Sequence, residues 1–159
     1  MRYDTLPIFI YSSRIDASTR ALYKFHLDPK NAARIQPPGF EVTDVQVPAE
    51  AKVGAEIKLT LRVLGRYTQE WRVAWEELKP PSGAPAHGRV VDGAISSPFP
   101  AFRHEHLFTE ESIGTRLTDR ITFQLASGWK SWLALPLIYL QLYYVFIWRH
   151  YRTGKLLKT

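Results

Sequence analysis

Alternating apolar and polar side chains in the middle of the chain predict a β-hairpin. Residues 57–63 and 67–75 place most of their apolar side chains at odd positions and most of their polar side chains at even positions. A period of two is typical of a strand with one buried face. Since both segments bury odd positions, the residue numbers of each directly opposed pair must add to an even number. A turn with an odd number of residues, centred on Gly65, provides this register.

The rest of the chain supplies five more strands and two short helices. Strands are predicted where β-prone segments are bounded by turn residues, over residues 6–11, 40–47, 87–95, 102–108 and 115–125. A loop rich in proline, glycine and serine is predicted over residues 79–85. The first helix is predicted over residues 17–25 with Asp16 as its N-cap, and the second begins at Pro29 and ends at Ile35.

The C-terminal segment contains the longest stretch without charge. Residues 132–148 are 17 positions with no charged side chain. As a helix they span about 26 Å, which is shorter than the roughly 30 Å hydrocarbon core of a bilayer. An antiparallel sheet with one dry face needs a partner for that face, so we expect a buried helix; a membrane span is the alternative. The pattern predicts a single α+β domain over residues 1–159, in which a curved antiparallel seven-stranded sheet wraps around a long C-terminal helix and two short helices lie between strands 1 and 2.

An ordered set of short motifs resembles a known superfamily. The motifs are Phe25-His26-Leu27-Asp28-Pro29-Lys30-Asn31 with Ile35-Gln36-Pro37-Pro38, then Gly54-Ala55-Glu56-Ile57, then His104-Glu105-His106-Leu107-Phe108, then Gly114-Thr115-Arg116-Leu117-Thr118-Asp119-Arg120. Over nearly the whole chain they are similar to the START and birch-pollen-allergen-like helix-grip proteins (SRPBCC), and within these to the bacterial polyketide cyclase/dehydrase-like ligand-binding branch. The resemblance implies a deep cavity between the sheet and the C-terminal helix that holds hydrophobic small molecules. It fixes no reaction, because this superfamily hosts carriers, sensors and cyclases.

Composition and charge exclude several classes of protein. The 159 residues contain no cysteine, which excludes disulfide frameworks, thiolate metal sites and thiol catalysis. The net charge is +6, and the last eleven residues hold four basic side chains and no acidic one. Elsewhere the basic side chains mostly alternate with apolar ones, as on a solvated sheet face, so we expect no nucleic-acid binding. The N-terminal residues lack the apolar core of a signal peptide, and we expect a cytoplasmic protein.

The predicted faces of the sixth and seventh strands bring two histidines close to one aspartate. The inward face of the sixth strand holds Phe102, His104, His106 and Phe108, and that of the seventh holds Leu117, Asp119, Ile121 and Phe123. Inward positions are even in the sixth strand and odd in the seventh, so the residue numbers of a directly opposed pair must add to an odd number. Asp119 therefore lies beside either His106 or His104. Such a buried pair can be structural, can orient a polar group of a ligand, or can act as general acid and base.

We expect the protein to bind a hydrophobic small molecule, either aromatic and polyketide-like or acyl, in the implied cavity. The expected lining residues are Leu59, Leu61, Trp71, Val73, Trp75, Phe102, His104, His106, Asp119, Ile121, Phe123, Leu140 and Tyr144. The alternatives are a polyketide cyclase/dehydrase-type enzyme with His104, His106 and Asp119 as its acid–base groups, and a membrane-associated regulatory protein.

We expect no cofactor. We also expect no bound metal. His104, His106 and Asp119 would together make a two-histidine, one-carboxylate set, but the i, i+2 spacing of the two histidines arises in any strand. The basic C-terminus suits a peripheral contact with anionic lipid. The sequence does not define the oligomeric state.

Overall fold

Seven antiparallel strands and four helices make up residues 6–158, the part of the chain that the computed structural model describes, with the side chain of Lys130 excepted. The strands are β1 (Ile8–Ile15), β2 (Phe40–Gln46), β3 (Glu56–Val63), β4 (Tyr67–Ser82), β5 (His87–Ser96), β6 (Phe102–Glu110) and β7 (Thr115–Phe123). The helices are α1 (Thr19–His26), α2 (Asn31–Arg34), α3 (Trp129–Leu133) and α4 (Leu135–Leu157). The sheet order is β1-β7-β6-β5-β4-β3-β2. The predicted curved sheet, long C-terminal helix and two short helices between the first two strands are confirmed.

Two clusters of buried side chains hold the helices on the inner face of the sheet. The first cluster joins Phe9, Ile121 and Phe123 of the sheet to Phe146 of α4. The second surrounds Trp75, Phe108 and Leu117 and is covered by Leu22 and Tyr23 of α1. Burial of each such side chain stabilises the fold by roughly 1.5–3 kcal/mol. Both helices therefore cover the same face of the sheet.

Both strand registers deduced from the alternating pattern are confirmed. β3 pairs with β4 around a turn that contains Gly65, and Val63 lies opposite Tyr67. β6 pairs with β7 without a register shift, and His106 lies opposite Asp119. The even positions of β6 and the odd positions of β7 therefore share the inner face of the sheet.

Three predicted boundaries near the N-terminus are wrong. β1 continues to Ile15, because polar residues 12–14 still pair with β7 along its full length. The N-cap of α1 is Ser18, whose side chain accepts the capping hydrogen bond, whereas Asp16 belongs to the connection that follows β1. α2 covers only Asn31–Arg34 rather than residues 29–35.

The predicted loop over residues 79–85 is in large part a strand. β4 extends to Ser82 through Pro80 and Pro81. The pairing of β3 ends at Ala74, so this half of β4 is hydrogen-bonded to β5 alone, and the ladder shifts between Lys79 and Ser82. Proline lacks an N–H donor and is tolerated at such an edge or bulge.

Helix α4 is only partly buried, contrary to the fully buried helix expected from its composition. Its buried side chains are Phe146, His150 and Thr153, whereas Leu137 and Leu140 are 69% and 66% exposed. The helix also continues past residue 148, to Leu157. In residues 6–158, no helix is both long enough and apolar enough to cross a membrane. The sheet thus covers one face of α4 and leaves the other apolar face exposed.

Candidate functional site

A cavity of ≈ 330 Å³ lies between the inner face of the sheet and α4. This volume falls in the range of about 300–1,000 Å³ that is typical of small-molecule sites. The sheet contributes apolar and aromatic side chains from β2, β3, β4, β6 and β7. The helix contributes Ile138, Gln141, Leu142, Val145, Phe146 and Arg149.

Most of the side chains predicted to line the cavity do so. They are Leu59, Leu61, Trp71, Val73, Trp75, Phe102, His104, His106 and Ile121. They come from strands whose inward positions follow from the period of two. Their role in binding a ligand remains a prediction.

Four predicted lining residues lie elsewhere. Leu140 and Tyr144 are 66% and 45% exposed, because at about 100° per residue they face away from the cavity-lining Leu142. Phe123 is buried but lies outside the cavity wall. Asp119 is also buried outside the wall, in contact with the histidines that line it.

Asp119 is the centre of a buried hydrogen-bond network. Its Oδ1 accepts a hydrogen bond from His104 Nε2 at 2.7 Å, and its Oδ2 accepts one from His150 Nε2 of α4 at 2.5 Å. His106 Nδ1 lies 2.5 Å from the same Oδ1, outside hydrogen-bond geometry. Ser13 Oγ lies 2.7 Å from His150 Nδ1, which accepts the hydroxyl proton when Nε2 donates to Asp119. The predicted contact of Asp119 with an imidazole, on the side of the C-terminal helix, is confirmed.

The network keeps Asp119 ionised and favours neutral imidazoles beside it. Burial alone would raise the pKa of Asp119, but His106, His104 and His150 hold it well below its ordinary value. Burial lowers the pKa of His104, against the attraction of Asp119. Burial and the neighbouring His104 lower the pKa of His106. The charge of the buried carboxylate is therefore balanced by N–H donors.

Asp92 and His26 are titratable side chains of the cavity wall that are not among the predicted site residues. Asp92 of β5 lies opposite His104 in the ladder, and burial raises its pKa to about 6, although His106 and Arg149 oppose the shift. His26, at the end of α1, packs against His106 with ring centroids 4.6 Å apart. Burial and then His106 lower the pKa of His26 well below its ordinary value.

The sequence carries weak signals for some of these residues. Asp92 alternates with Val90 and Ala94, which places it on an inward strand face. His150 follows Phe146 by four positions and therefore shares its helix face. The place of His26 depends on how α1 packs on the sheet, which no local pattern specifies.

Potential metal donors lie on the cavity side of the histidines. Asp92, His104 and His106 place one donor atom each within 4.8 Å of one another. Imidazole and carboxylate together suit divalent transition metals. The carboxylate of this set is Asp92, whereas the set considered from the sequence used Asp119.

Arg149 and Trp71 bring unpaired donors to the cavity wall. Within residues 6–158, Arg149 Nε and Trp71 Nε1 are buried without a hydrogen-bond partner. The Arg149 guanidinium carbon lies 4.9 Å from the centre of the Phe146 ring. Burial lowers the pKa of Arg149, against the charges of Asp119 and Asp92. Buried donors without acceptors are unfavourable, so both suit a ligand that carries an acceptor.

No protein-family model and no curated protein matches the chain. Solved structures match it over nearly its whole length. The di-domain ARO/CYC StfQ from the steffimycin biosynthetic pathway has a TM-score of 0.74 at 12% identity, over 94% of this chain and 49% of StfQ. A START superfamily protein from Mycobacterium smegmatis has a TM-score of 0.69 at 9% identity, over 95% of this chain and 97% of that protein.

Protein CV1439 from Chromobacterium violaceum has a TM-score of 0.71 at 16% identity, over 96% of this chain and 97% of that protein. Identities this low show a shared fold alone, since one fold hosts many functions. The fold expected from the motifs is confirmed, and the chain has the helix-grip fold of the START superfamily.

Proposed function

We propose that this protein binds a small, largely apolar molecule that carries one acidic or other polar group. The observation that carries the proposal is a cavity of ≈ 330 Å³ walled mainly by aromatic and aliphatic side chains. Packed protein interiors contain few voids larger than a water molecule, so a space of this size suits an occupant. The rings of Trp71, Trp75 and Phe102 in the wall favour a ring-containing or acyl molecule.

The polar side chains of the cavity wall are the reason for proposing a polar group on the ligand. Arg149 offers a guanidinium, which pairs with a carboxylate through two parallel hydrogen bonds. Trp71 Nε1 offers a second unpaired donor. Asp92 and His106 lie close together and suit a hydroxyl or keto group.

A fluorescence titration tests the proposal, because Trp71 and Trp75 lie in the cavity wall. The probes are dodecanoate and anthracene carboxylate, each compared with its uncharged counterpart, dodecanol and anthracene. We expect saturable binding of one molecule per protein and tighter binding of the acids. Arg149→Gln should weaken binding of the acids about 10–100-fold, as expected for loss of hydrogen bonds to a charged group, and leave the uncharged probes unchanged.

Arg152→Gln is the matched control, since Arg152 lies on the same helix outside the cavity wall. It should bind all four probes like the wild type. A fluorescence change that stays linear for every probe would contradict binding in the cavity. Equal losses in the two arginine variants would contradict the role given to Arg149.

A second candidate function is acid–base catalysis on a bound carbonyl compound, as the comparison with an ARO/CYC protein suggests. The observation that favours it is Asp92, a cavity-wall carboxyl whose pKa of about 6 suits proton transfer near neutral pH. The protein should then accelerate deuterium exchange next to the carbonyl of α-tetralone, measured by NMR. Asp92→Asn should lose this acceleration and keep binding, whereas exposed Asp44→Asn should keep both. Exchange at the rate of buffer alone would rule this candidate out.

A further inference from the structure

We propose that Asp92, His104 and His106 bind a divalent transition-metal ion at the cavity wall. One donor atom of each lies within 4.8 Å of the others, and Asp92 Oδ1 is 3.7 Å from His106 Nε2. That separation is too long for a hydrogen bond. Two ligands that each lie about 2.0–2.2 Å from one metal ion are about 3–4 Å apart. The three groups therefore lie close enough together to share one metal ion, and Asp92 and His106 do not hydrogen-bond to each other.

The opposite ring nitrogens of the two histidines are held as metal-bound histidines require. Asp119 Oδ1 is 2.7 Å from His104 Nε2 and 2.5 Å from His106 Nδ1. Contacts this short place a proton on each of these nitrogens, because two lone pairs at such a distance repel. His104 Nδ1 and His106 Nε2 are then the nitrogens that carry lone pairs.

Asp119 has the position of a carboxylate that contacts the metal-binding histidines rather than the metal ion itself. A metal-ligating histidine usually donates its second N–H to a carboxylate or a carbonyl, which fixes the ring and raises its basicity. Asp119 accepts this hydrogen bond from His104 and lies beside His106 Nδ1. His150 of α4 holds its other oxygen at 2.5 Å. Asp119 is therefore a positioning residue, and Asp92 is the carboxylate ligand.

His26 lies beside the proposed site but outside its donor group. Its Nδ1 donates to the Leu22 carbonyl at 2.8 Å, and its ring packs against that of His106. A donor set of imidazoles and a carboxylate suits zinc, iron, cobalt or nickel. The inference does not depend on the proposed ligand, because the donor atoms lie close together without one.

Titrating the EDTA-treated protein with Co²⁺, and then with Zn²⁺, tests the site. We expect one equivalent of Co²⁺ with visible d–d absorption, displacement of Co²⁺ by Zn²⁺, and a Zn²⁺-dependent rise in the unfolding temperature. Asp92→Asn and His106→Gln should each weaken Co²⁺ binding more than tenfold. Asp119→Asn should weaken it about 10–100-fold, as for other outer-shell partners. His87→Gln, which removes an exposed histidine of β5, should bind like the wild type.

Two results would overturn the metal site. The first is natively folded protein that shows no Co²⁺ absorption and an unfolding temperature unmoved by Zn²⁺. The second is binding that survives Asp92→Asn but is lost in His87→Gln, which would place the metal at the surface. Since no organic ligand is present in the titration, either result leaves the cavity-binding proposal standing.

An independent observation concerns the outer face of α3 and α4. Six side chains at intervals of three or four form one stripe, and they are between 45% and 69% exposed: Leu133, Leu137, Leu140, Tyr144, Ile147 and Tyr151. Surfaces of soluble domains rarely carry a continuous apolar stripe unless it contacts a partner. We call these six residues the outer stripe.

We propose that the outer stripe lies on an anionic membrane surface. Residues 129–158 contain no acidic side chain. Arg149 is turned into the cavity wall and Lys158 pairs with Asp16, so Arg152 and Lys155 of α4 supply the positive charge next to the stripe. Exposed apolar and aromatic side chains combined with basic residues are typical of helices that lie in the lipid interface. A second copy of the chain is disfavoured, because packing two such helices together would bring basic side chains together without an acidic partner on either helix.

Cosedimentation with vesicles tests this surface. We expect binding to phosphatidylcholine vesicles that contain phosphatidylserine, weaker binding at high salt, and little binding to phosphatidylcholine alone. Leu140→Glu should abolish binding, whereas Ile95→Glu, at an exposed apolar residue of β5, should keep it. Lys155→Gln should weaken binding about fivefold, the effect of one basic residue near the lipid surface. Absence of binding to the mixed vesicles, or a stable dimer that Leu140→Glu dissociates, would overturn the proposal.

Discussion

At the scale of single residues, Asp119 explains how the apolar inner face of the sheet accommodates a carboxylate. The residue is 2% exposed, and its oxygens accept hydrogen bonds from His104 and His150. Buried polar groups are tolerated when they are hydrogen-bonded in this way. The same contacts join β6, β7 and α4 at one point.

Asp119→Asn should therefore destabilise the fold. The asparagine amide has one oxygen where the carboxylate has two, so its N–H₂ group must face the N–H of one histidine. That N–H then has no acceptor, which lowers the free energy of unfolding by about 1–3 kcal/mol. Urea denaturation measures the loss. Asp44→Asn, on the exposed side of β2, is the control and should unfold like the wild type. Equal stabilities of Asp119→Asn and the wild type would contradict the network.

The buried histidines predict that acidification destabilises the protein. In the folded state the pKa values of His26, His104 and His106 are lowered from 6.5, so below about pH 6.5 the unfolded chain binds protons that the folded chain does not. The contribution of these neutral imidazoles to the free energy of unfolding is complete above the pKa of histidine in the unfolded chain. It is lost as the pH falls below that value. Asp92 acts in the opposite direction, because its pKa is raised to about 6, but it is one group against three.

The unfolding temperature in EDTA should thus be lower at pH 5 than at pH 7.5. His26→Gln should reduce the difference, because the partly buried His26 ring packs against His106 and its pKa is held well below the ordinary value. His87→Gln, at the exposed histidine, should leave the difference unchanged. A protein equally stable at both pH values would show that these imidazoles are not held neutral.

The sequence predicts the position of a single residue well where the alternation of inward and outward side chains along a strand determines it. This alternation places His104, His106 and Asp119 on facing inward positions, and the structure confirms their contacts. It does not identify His26 or His150, because each reaches the cluster from a helix whose docking depends on the assembled sheet. The roles of all these residues in binding remain predictions.

At the scale of elements, the turn between β6 and β7 is fixed by a glycine that no other residue can replace. Gly114 has a φ of 76°, and a Cβ built on it would lie 2.3 Å from the Ile15 carbonyl oxygen. The turn therefore packs directly against the backbone where β1 ends. Backbone cannot move aside as a flexible side chain does.

Gly114→Ala should consequently destabilise the protein more than Gly54→Ala. Gly54 also has a positive φ, of 83°, but a Cβ there would meet nothing within 4 Å. Gly54→Ala should cost about 1–2 kcal/mol for the left-handed backbone alone, and Gly114→Ala should cost more because of the added clash. Urea denaturation of both variants measures the difference. Equal losses would show that the β6–β7 turn moves freely away from β1.

Element boundaries are less predictable than element types. Pro80 and Pro81 suggest a loop, yet β4 passes through them, because β3 has already ended and no second neighbour needs their N–H groups. The apolar circumference of α4 suggests complete burial, yet the sheet covers one face. Both errors arise because a local pattern does not specify which neighbours an element has.

At the scale of the whole molecule, the order of elements predicts the fold. A meander of strands with one dry face and one remaining apolar helix leaves few arrangements. Strands β2 to β7 are neighbours in chain order as predicted, whereas the meander does not specify that β1 pairs with β7. The cavity does not follow from the pattern in the same way. Side chains that fill a core and side chains that line a cavity, such as Leu59 and Trp71, have the same alternation, and only their packing in three dimensions separates them.

Native mass spectrometry of the protein incubated with dodecanoate or anthracene carboxylate tests the central claim, ligand binding in the cavity, most directly. Leu59→Trp fills the cavity from its wall, and Lys58→Trp places the same side chain on the opposite, exposed face of β3. We expect one ligand per wild-type and per Lys58→Trp protein, and loss of the complex in folded Leu59→Trp. Complexes of equal abundance in both variants, or none in the wild type, would contradict binding in this cavity.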